Sequence, residues 1–436
     1  MDERPEGNAA AVRRRRVFYI PGYDPFHPRR YRELYRKEAQ AQAALSGYDI
    51  ALVPRAGKGA GAGLATGPGP GSGAGGGRYG WRVEGRIEGA ETRAEVEVLV
   101  WSDLVRASMG QSIAATYGQL ARTAWIYLAD GTLLRLARLR GGPIVAALYP
   151  VAVLLGQLLA ALAGGAAVAG GLGWALGRAG LPAWGAVAAA TLAGAALAVW
   201  ALVRFKRLDH RLYAYYLMHD YAFGARGRGA NPPALEARLA AFTAAIRAAL
   251  DEDWDEVLVV GHSSGAHLAV SALADLIRAG VPDRGPALSF LSLGQVVPMV
   301  SFLPGAGRLR ADLRFLSARD ELVWIDVTAP GDGCAFALCD PVAVTGVAPP
   351  GQRWPLVLSA AFSQTLSPAR WAEMRRQYFR LHFQYLSAFD NLPGRPDDYD
   401  YFRITAGPRT LAGRLGGRSP SPSRITRACA RHRSLQ

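Results

Sequence analysis

The stretch that decides the fold is Val257-Leu258-Val259-Val260-Gly261-His262-Ser263-Ser264-Gly265, which is followed by the helix-like run 266–270. The apolar, β-branched residues predict a buried strand, and the residues after Gly265 predict a helix. Ser263 therefore lies at the apex of a sharp turn. Such a turn holds its central residue in strained dihedral angles, and the flanking glycines let the strand and the helix pass close to each other.

A second stretch with similar spacing, Gly110-Gln111-Ser112-Ile113-Ala114, has no strand before it. It lies in a pattern that predicts one long helix from Ser102 to about residue 128. We therefore interpret Ser112 as an ordinary helix residue and Ser263 as the serine of functional interest.

Other apolar or alternating segments predict further strands, at 17–20, 48–53, 81–88, 94–101, 287–293, 322–327 and 355–361. Helical patterns separate many of these strands, at 30–44, 203–223, 235–250 and from about residue 367. Strands that alternate with helices, and that are apolar throughout near Ser263, predict a mainly parallel sheet with helices on both faces. The predicted fold class is α/β.

Residues 143–203 predict a transmembrane hairpin. This segment has no acidic residue and one basic residue, Arg178, and a break near Gly180-Leu181-Pro182 divides it in two. Each half is long enough to cross the hydrocarbon core, which takes about 20 helical residues. Arginines and lysines are concentrated before residue 143 and after residue 203, so both flanks are expected to face the cytoplasm.

The remaining segments are expected to be disordered: the arm 1–16, the glycine-rich linker 57–77 and the tail 408–436, which has seven arginines and no acidic residue. The net charge is +15, and the simplest partner for the basic tail is an anionic lipid headgroup. No nucleic-acid-binding module accompanies the tail, so no nucleic-acid partner is expected.

Cys334, Cys339 and Cys429 have neither disulfide-framework nor metal-ligand spacing, and no secretory signal is recognisable. We therefore expect an integral protein of a bacterial inner membrane with a cytoplasmic catalytic part and no cofactor or metal. Its two parts are predicted at 17–128 and 204–406, on either side of the hairpin.

The elbow Gly261-His262-Ser263-Ser264-Gly265 resembles the nucleophile elbow of the α/β-hydrolases, the superfamily of many lipases and esterases. The resemblance covers about residues 17–406, apart from the hairpin and the linker, and only the elbow is specific. Two features depart from the family pattern. The strand pair within 48–88 follows the oxyanion strand rather than preceding it, and the apolar hairpin is inserted where a cap or lid might sit.

The resemblance implies a chain order of serine, acid and histidine, and a serine hydroxyl needs such a base to take its proton. Three histidines follow Ser263. His432 lies in the predicted disordered tail, and His267 is one turn into the elbow helix, too close to fold back over the serine. His382 is therefore the candidate base, and a structural histidine on an aromatic helix face is the alternative.

Asp332 is the candidate acid, because it lies in the turn after the strand 322–327 and open α/β sheets place their sites at the carboxyl ends of strands. Asp340 and Asp326 remain alternatives. Each of the three aspartates has an alternative role as a turn or cap residue.

The resemblance also implies two backbone donors for the oxyanion: the amide of Ser264 and an amide in the loop Pro21-Gly22-Tyr23, assigned here to Tyr23. That loop has Pro-Gly where many members have His-Gly. His262 is expected to be a packing residue.

The sequence therefore predicts a membrane-anchored serine hydrolase that cleaves an ester or thioester of a lipid-like substrate. Ser263, His382 and Asp332 form the expected triad, and the reaction proceeds through an acyl-enzyme. A catalytically inactive hydrolase-fold interaction module tethered to the membrane is the alternative. In a third hypothesis the hairpin is the functional part of an envelope scaffold or transporter accessory protein, and the hydrolase domain regulates it.

Overall fold

The computed structural model describes residues 11–53, 79–392 and 398–436. The predicted linker 57–77 and most of the predicted arm 1–16 lie outside the described residues. The strands are β1 Arg14–Ile20, β2 Asp49–Val53, β3 Tyr79–Ile87, β4 Ala90–Val98, β5 Glu256–His262, β6 Ala287–Leu293, β7 Leu322–Thr328 and β8 Leu356–Ser359.

Seventeen α-helices are assigned within the described ranges, several of them a single turn long. They are α1 Arg29–Ser46, α2 Ser102–Met109, α3 Ile113–Ala129, α4 Thr132–Ala137, α5 Gly141–Arg178, α6 Ala183–Arg207, α7 Asp209–Leu212, α8 Ala214–Ala225, α9 Pro233–Leu250, α10 Gly265–Arg278, α11 Val297–Ser301, α12 Gly307–Leu316, α13 Pro341–Thr345, α14 Phe362–Thr365, α15 Pro368–Met374, α16 Tyr378–His382 and α17 Tyr401–Ala406.

The eight strands form one mixed sheet in the order β2-β3-β4-β1-β5-β6-β7-β8. The pairs β2–β3 and β3–β4 are antiparallel, and the other five pairs are parallel. The predicted mainly parallel α/β sheet is therefore confirmed. The sheet brings the carboxyl ends of β1, β5, β6 and β7 to the same edge, where the loops with the candidate site residues begin.

The central strand β5 is buried along its whole length. Leu258 and Val260 join a core that also contains Tyr35 of α1 and Phe402 of α17. Helix α10 packs against β5 and β1 and also against α9 and α12. Because both faces of β5 are covered by apolar side chains, its sequence is apolar without alternation.

Strand β1 begins at Arg14, three residues before the predicted strand, so the prediction of disorder through residue 16 is wrong at that end. Arg15 is fully buried and donates to Glu256 on β5 at 2.6 Å, and Arg16 pairs with Glu95 and Glu97 on β4. Buried arginines are stable when their charge is neutralised and their hydrogen bonds are satisfied. These pairs let a basic sequence form the centre of a sheet.

The basic tail 408–436 is packed against the rest of the chain, in contrast to the predicted disorder. The Leu411 amide donates to Glu256 at 2.7 Å, and the Ile425 amide donates to the Leu338 carbonyl at 2.7 Å. The Arg310 Nε donates to the Ser434 carbonyl at 2.6 Å. These hydrogen bonds, together with the burial of Leu411 and Leu415, hold the tail against the rest of the chain. The basic composition of the tail does not indicate this packing.

The predicted long helix from Ser102 is also wrong, because it is divided into α2 and α3. Ser112 lies in the break, and its hydroxyl accepts a hydrogen bond from the Ala115 amide at 3.1 Å. It is the N-cap of α3, a position that serine favours.

The predicted basic helix 203–223 is likewise interrupted, at Leu208 and Tyr213. The Asp209 carboxylate accepts from the Tyr215 and Tyr216 amides, at 2.9 and 3.0 Å, and so caps the start of α8.

The chain forms two compact units. The first contains the sheet and comprises the described residues of 11–105 together with 134–143 and 227–436. The second comprises 106–133 and 144–226 and contains nearly all of the two long apolar helices.

Helices α5 and α6 are long and apolar enough to cross a membrane, with 38 and 25 residues and a hydropathy of 2.1 each. The predicted break between them is confirmed, since α5 ends at Arg178 and Gly180 has a φ of +78°. Many of their large apolar side chains are exposed, such as Leu159, Trp184 and Leu192, at 67%, 80% and 71%. The core helix of a soluble protein would bury such side chains.

The two helices approach each other closely where Gly165 faces Gly194. A side-chain carbon at Gly194 would lie 2.4 Å from the Gly165 carbonyl oxygen and 2.9 Å from the Ala169 Cβ. Small residues allow this approach, which is a common way for apolar helices to associate in lipid.

Gly194→Val should therefore weaken the packing of α5 against α6, because its side chain requires the backbones to separate. Gly185→Val on the same helix is the matched control, since nothing lies within 4 Å of a side-chain carbon there. Unfolding followed by circular dichroism during a titration from mild detergent into dodecyl sulfate should show an earlier transition for Gly194→Val alone. Equal midpoints for both variants would contradict the glycine contact.

Candidate functional site

The turn between β5 and α10 places Ser263 at the carboxyl edge of the sheet. Its φ is +57°, a left-handed conformation that costs a non-glycine residue on the order of 1–3 kcal/mol. A side-chain carbon at Gly261 would lie 2.8 Å from the Ala266 Cα, and one at Gly265 would lie 2.0 Å from the Ile20 carbonyl oxygen. Both glycines are therefore required by close backbone contacts, as the sequence predicts.

The loop after β1 lies against this turn. A side-chain carbon at Gly22 would lie 3.0 Å from the Ser263 Cβ and 3.4 Å from its Oγ. The Trp101 indole donates to the Pro21 carbonyl at 2.9 Å, and its ring packs edge-on against Tyr23. The loop that holds Tyr23 is thus fixed beside the serine, where the sequence analysis expected an oxyanion donor.

Ser264 is the N-cap of α10, a helix of fourteen residues. The amides at a helix N-terminus have no acceptor within the preceding turn and carry a partial positive charge. The Ser264 amide, next to Ser263, therefore lies at a helix end whose partial positive charge favours a developing negative charge.

The structure brings together His382 and Asp332. The His382 Nδ1 lies 2.7 Å from the Asp332 Oδ2, and both residues are buried. His382 ends α16, and Asp332 follows β7 in a turn closed by its own amide donating to the Ala329 carbonyl at 2.9 Å. A carboxylate on Nδ1 fixes the tautomer of the imidazole and leaves Nε2 available for proton transfer.

His382 and Ser263 both lie against the end of β6, at Leu293 and Gly294. The Ser263 amide donates to the Leu293 carbonyl at 2.9 Å. A side-chain carbon at Gly294 would lie 3.1 Å from the His382 Cε1 and 2.8 Å from the Tyr385 ring. The imidazole and the serine are therefore neighbours of the same short segment, which has a φ of +53° at Gly294.

The Asp332 carboxylate has hydrogen-bond donors on both oxygens. The Cys334 amide donates to Oδ1 at 2.9 Å, and the Tyr385 hydroxyl donates to Oδ2 at 3.0 Å beside His382. Burial alone would raise the pKa of Asp332, but the imidazole and these donors hold it below its usual value. The carboxylate is therefore ionised at neutral pH and able to stabilise an imidazolium.

Tyr385 is a site residue that the sequence analysis missed. Its hydroxyl accepts from the Ala329 amide at 2.9 Å while it donates to Asp332, so it links the end of β7 to the acid. It follows His382 by three residues, which is one helical turn, and that spacing is the only sequence signal for it.

The two alternative acids have other partners. Asp340 is the N-cap of α13 and accepts from the amides of Val342 and Ala343 at 2.9 and 3.0 Å. Asp326 accepts from the Ser292 hydroxyl, and burial raises its pKa to about 8. Asp326 is consequently protonated at neutral pH, which does not suit a group that stabilises a cation.

His262, expected as a packing residue, also makes a polar contact. Its ring lies 4.8 Å from the His382 ring, and its Nε2 lies 3.0 Å from the His382 carbonyl oxygen. Because a carbonyl oxygen can only accept, Nε2 must carry a proton. Burial, with the neighbouring His382, lowers the pKa of His262 to about 3, so the ring is neutral. Its hydrogen bond connects the turn at Ser263 to the segment that holds His382.

Two further histidines that the sequence could offer, His267 and His219, have other positions. His267 is on α10, one turn beyond the serine, and His219 is on α8 of the second unit, where its Nδ1 contacts Gln119 at 2.9 Å.

Potential metal ligands also meet in the site: one donor atom each from Asp332, Cys334 and His382 lies within 4.8 Å of the others. However, both Asp332 oxygens already accept hydrogen bonds, so a cation there would have to displace the His382 contact or another of those donors.

Comparisons of the chain with protein-family models, with curated proteins and with solved structures found no match.

The burial of His262, beside His382, predicts a pH dependence of stability. The folded-state pKa near 3 lies below the ordinary value of 6.5, so the unfolded chain takes up a proton first as the pH falls. The stabilisation from a neutral His262 is complete above pH 6.5 and is lost progressively between about pH 6.5 and 3. Between pH 7 and pH 5 this loss amounts to about 2 kcal/mol.

His262→Gln retains an amide donor for the His382 carbonyl and has no proton to take up. Chemical unfolding in neutral detergent at pH 7 and at pH 5 should therefore show a smaller drop in the free energy of unfolding for the variant than for the wild type. Parallel drops in both proteins would mean that His262 is not held neutral by the fold.

Proposed function

We propose that this protein is a membrane-anchored serine hydrolase in which Ser263 is the nucleophile, His382 the base and Asp332 the acid. The observation that carries the proposal is the 2.7 Å contact of His382 with Asp332, beside a serine held at a φ of +57° between a strand and a helix. Strained dihedral angles are retained where the surrounding structure stabilises them, and they are concentrated at functional sites.

The first chemical step follows from this arrangement. Asp332 occupies Nδ1 of His382, so Nε2 takes the Ser263 proton while Oγ attacks the carbonyl carbon of an ester or thioester. The carbonyl oxygen becomes an oxyanion, which the Ser264 amide at the start of α10 and the amide of Tyr23 stabilise. The imidazolium then protonates the leaving group, and an acyl-enzyme on Ser263 remains.

The second step regenerates the enzyme. The neutral His382 takes a proton from a water molecule, which attacks the acyl carbon, and the acid product leaves as the proton returns to Ser263. The Tyr385 hydroxyl holds Asp332 in place through both steps, because it is fixed at its other side by the Ala329 amide.

The anchor in this proposal is the hairpin α5–α6. Helix α5 has 38 residues and is about 57 Å long, whereas the hydrocarbon core is about 30 Å thick. The arginines and lysines beyond both ends assign the flanks to the cytoplasm by the positive-inside rule. An anchored enzyme meets membrane lipids at a high effective concentration, which favours a lipid-like acyl substrate.

The nucleophile assignment is tested with a fluorophosphonate probe, which labels an activated serine. Ser263→Ala should lose labelling and ester hydrolysis while it stays folded. Ser112→Ala is the matched control, because that serine has similar glycine-rich spacing but caps α3. Labelling of the wild type that survives in Ser263→Ala would overturn the nucleophile assignment, and a wild type that is neither labelled nor active would favour a catalytically inactive module.

The substrate class is tested by replacing residues 143–203 with a short flexible linker. We expect the replacement to lower hydrolysis of acyl chains presented in a bilayer more than hydrolysis of a small chromogenic ester, because only the first depends on the anchor. The two rates are measured for both proteins. An equal loss on both substrates would contradict an interfacial lipid hydrolase and leave an esterase that is located at the membrane.

A further inference from the structure

Helices α3 and α8 of the second unit border a hollow of about 270 Å³. Seven residues line it, and none of them is acidic: Gln119, Arg122, Thr123, Ile126, Ala222, Ala225 and Arg226. All seven belong to the second unit, and none belongs to the candidate active site. The hollow therefore has no role in the proposed hydrolysis.

Two positive charges are located at its rim. Arg122 and Arg226 are exposed, and the described part of the chain shows no ion pair or hydrogen bond for either guanidinium. Arg308 on the first unit, by contrast, is paired with Glu236 and Asp275. Two unpaired guanidinium groups at one hollow produce a positive potential that attracts an anion.

The floor of the hollow supplies neutral donors. Thr123 is 7% exposed, and its hydroxyl has no hydrogen-bond partner among the described residues. Because Thr123 lines the hollow, its hydroxyl can donate to a ligand bound there.

A contact with His219 orients the side chain of Gln119. The His219 Nδ1 lies 2.9 Å from the Gln119 Oε1, and that oxygen can only accept, so Nδ1 carries the proton. Burial, together with Lys206 and Arg226, lowers the pKa of His219 to about 4, and the ring is neutral at pH 7. With its oxygen engaged by His219, Gln119 keeps its amide NH₂ as the group that can donate to a ligand.

We propose that this hollow binds a phosphate group, either that of an anionic lipid headgroup or that of a soluble phosphate ester. An amide, a hydroxyl and one guanidinium come from neighbouring turns of α3, and the second guanidinium comes from Arg226 at the end of α8. Four donor groups match several oxygens around one phosphorus better than the two coplanar oxygens of a carboxylate. Ile126 and Ala222 provide an apolar side for the carbon part of the ester.

The experiment uses the full-length protein in phosphatidylcholine nanodiscs and measures the binding of inorganic phosphate by calorimetry at constant ionic strength. We expect saturable binding that Arg122→Gln and Arg226→Gln each weaken about tenfold, because each removes a charge-assisted contact; tenfold corresponds to about 1.4 kcal/mol. Thr123→Val keeps the side-chain shape and should weaken binding several-fold. Arg211→Gln is the matched control, because it removes one exposed positive charge from the same unit outside the hollow.

Nanodiscs that contain phosphatidylglycerol distinguish the two sources of phosphate. A lipid headgroup in the hollow would compete with inorganic phosphate and weaken its apparent affinity in the wild type. Unchanged affinity would assign the hollow to a soluble phosphate ester. The proposal is overturned if the wild type shows no saturable binding in either nanodisc, or if Arg211→Gln weakens binding as much as Arg122→Gln does.

Discussion

The turn at Ser263 constrains the elements around it. Its positive φ is unfavourable by itself, so the neighbouring structure has to hold it. Gly265 touches the Ile20 carbonyl oxygen and Gly22 approaches the serine, which leaves the turn no room to relax into a wider loop. The contact of His262 with the His382 carbonyl then joins this rigid turn to α16. The strain at Ser263 and the placement of His382 thus have a common structural origin.

A second constraint is the burial of charge at the opposite end of the strands. Arg15 donates to Glu256 and to the Gly407 carbonyl, and Glu256 also accepts from the Ser289 hydroxyl and the Leu411 amide. A buried ion pair is tolerated when its remaining hydrogen bonds are satisfied in this way. One network therefore connects β1, β5, β6 and the tail, at the end of the sheet away from the candidate site.

The sequence predicts the elements whose signals are local and misses those that depend on distant partners. The strand–turn–helix around Ser263 is found because apolar run, turn glycines and helix are contiguous, and Asp332 is found because it follows a strand. Basic sequence predicts exposure to solvent, so the arginine-rich start of β1 and the basic tail are both misjudged. Both are instead held by Glu256: its carboxylate neutralises Arg15, 241 residues away, and accepts from the Leu411 amide, 155 residues away. Tyr385 is missed because its role depends on Asp332, which the chain alone does not place beside it.

The sheet order explains how the chain accommodates so long an insertion. The apolar hairpin lies between β4 and β5 in sequence, yet these strands are not neighbours in the sheet, because β1 pairs with both of them in parallel. Their registers are thus fixed by β1 rather than by the length of the connection, and the entropic cost of closing a connection grows only slowly with its length. Since Ser263, Asp332 and His382 all follow later in the chain, the hairpin separates them in sequence from the loop at Gly22 but does not interrupt the segment that contains all three.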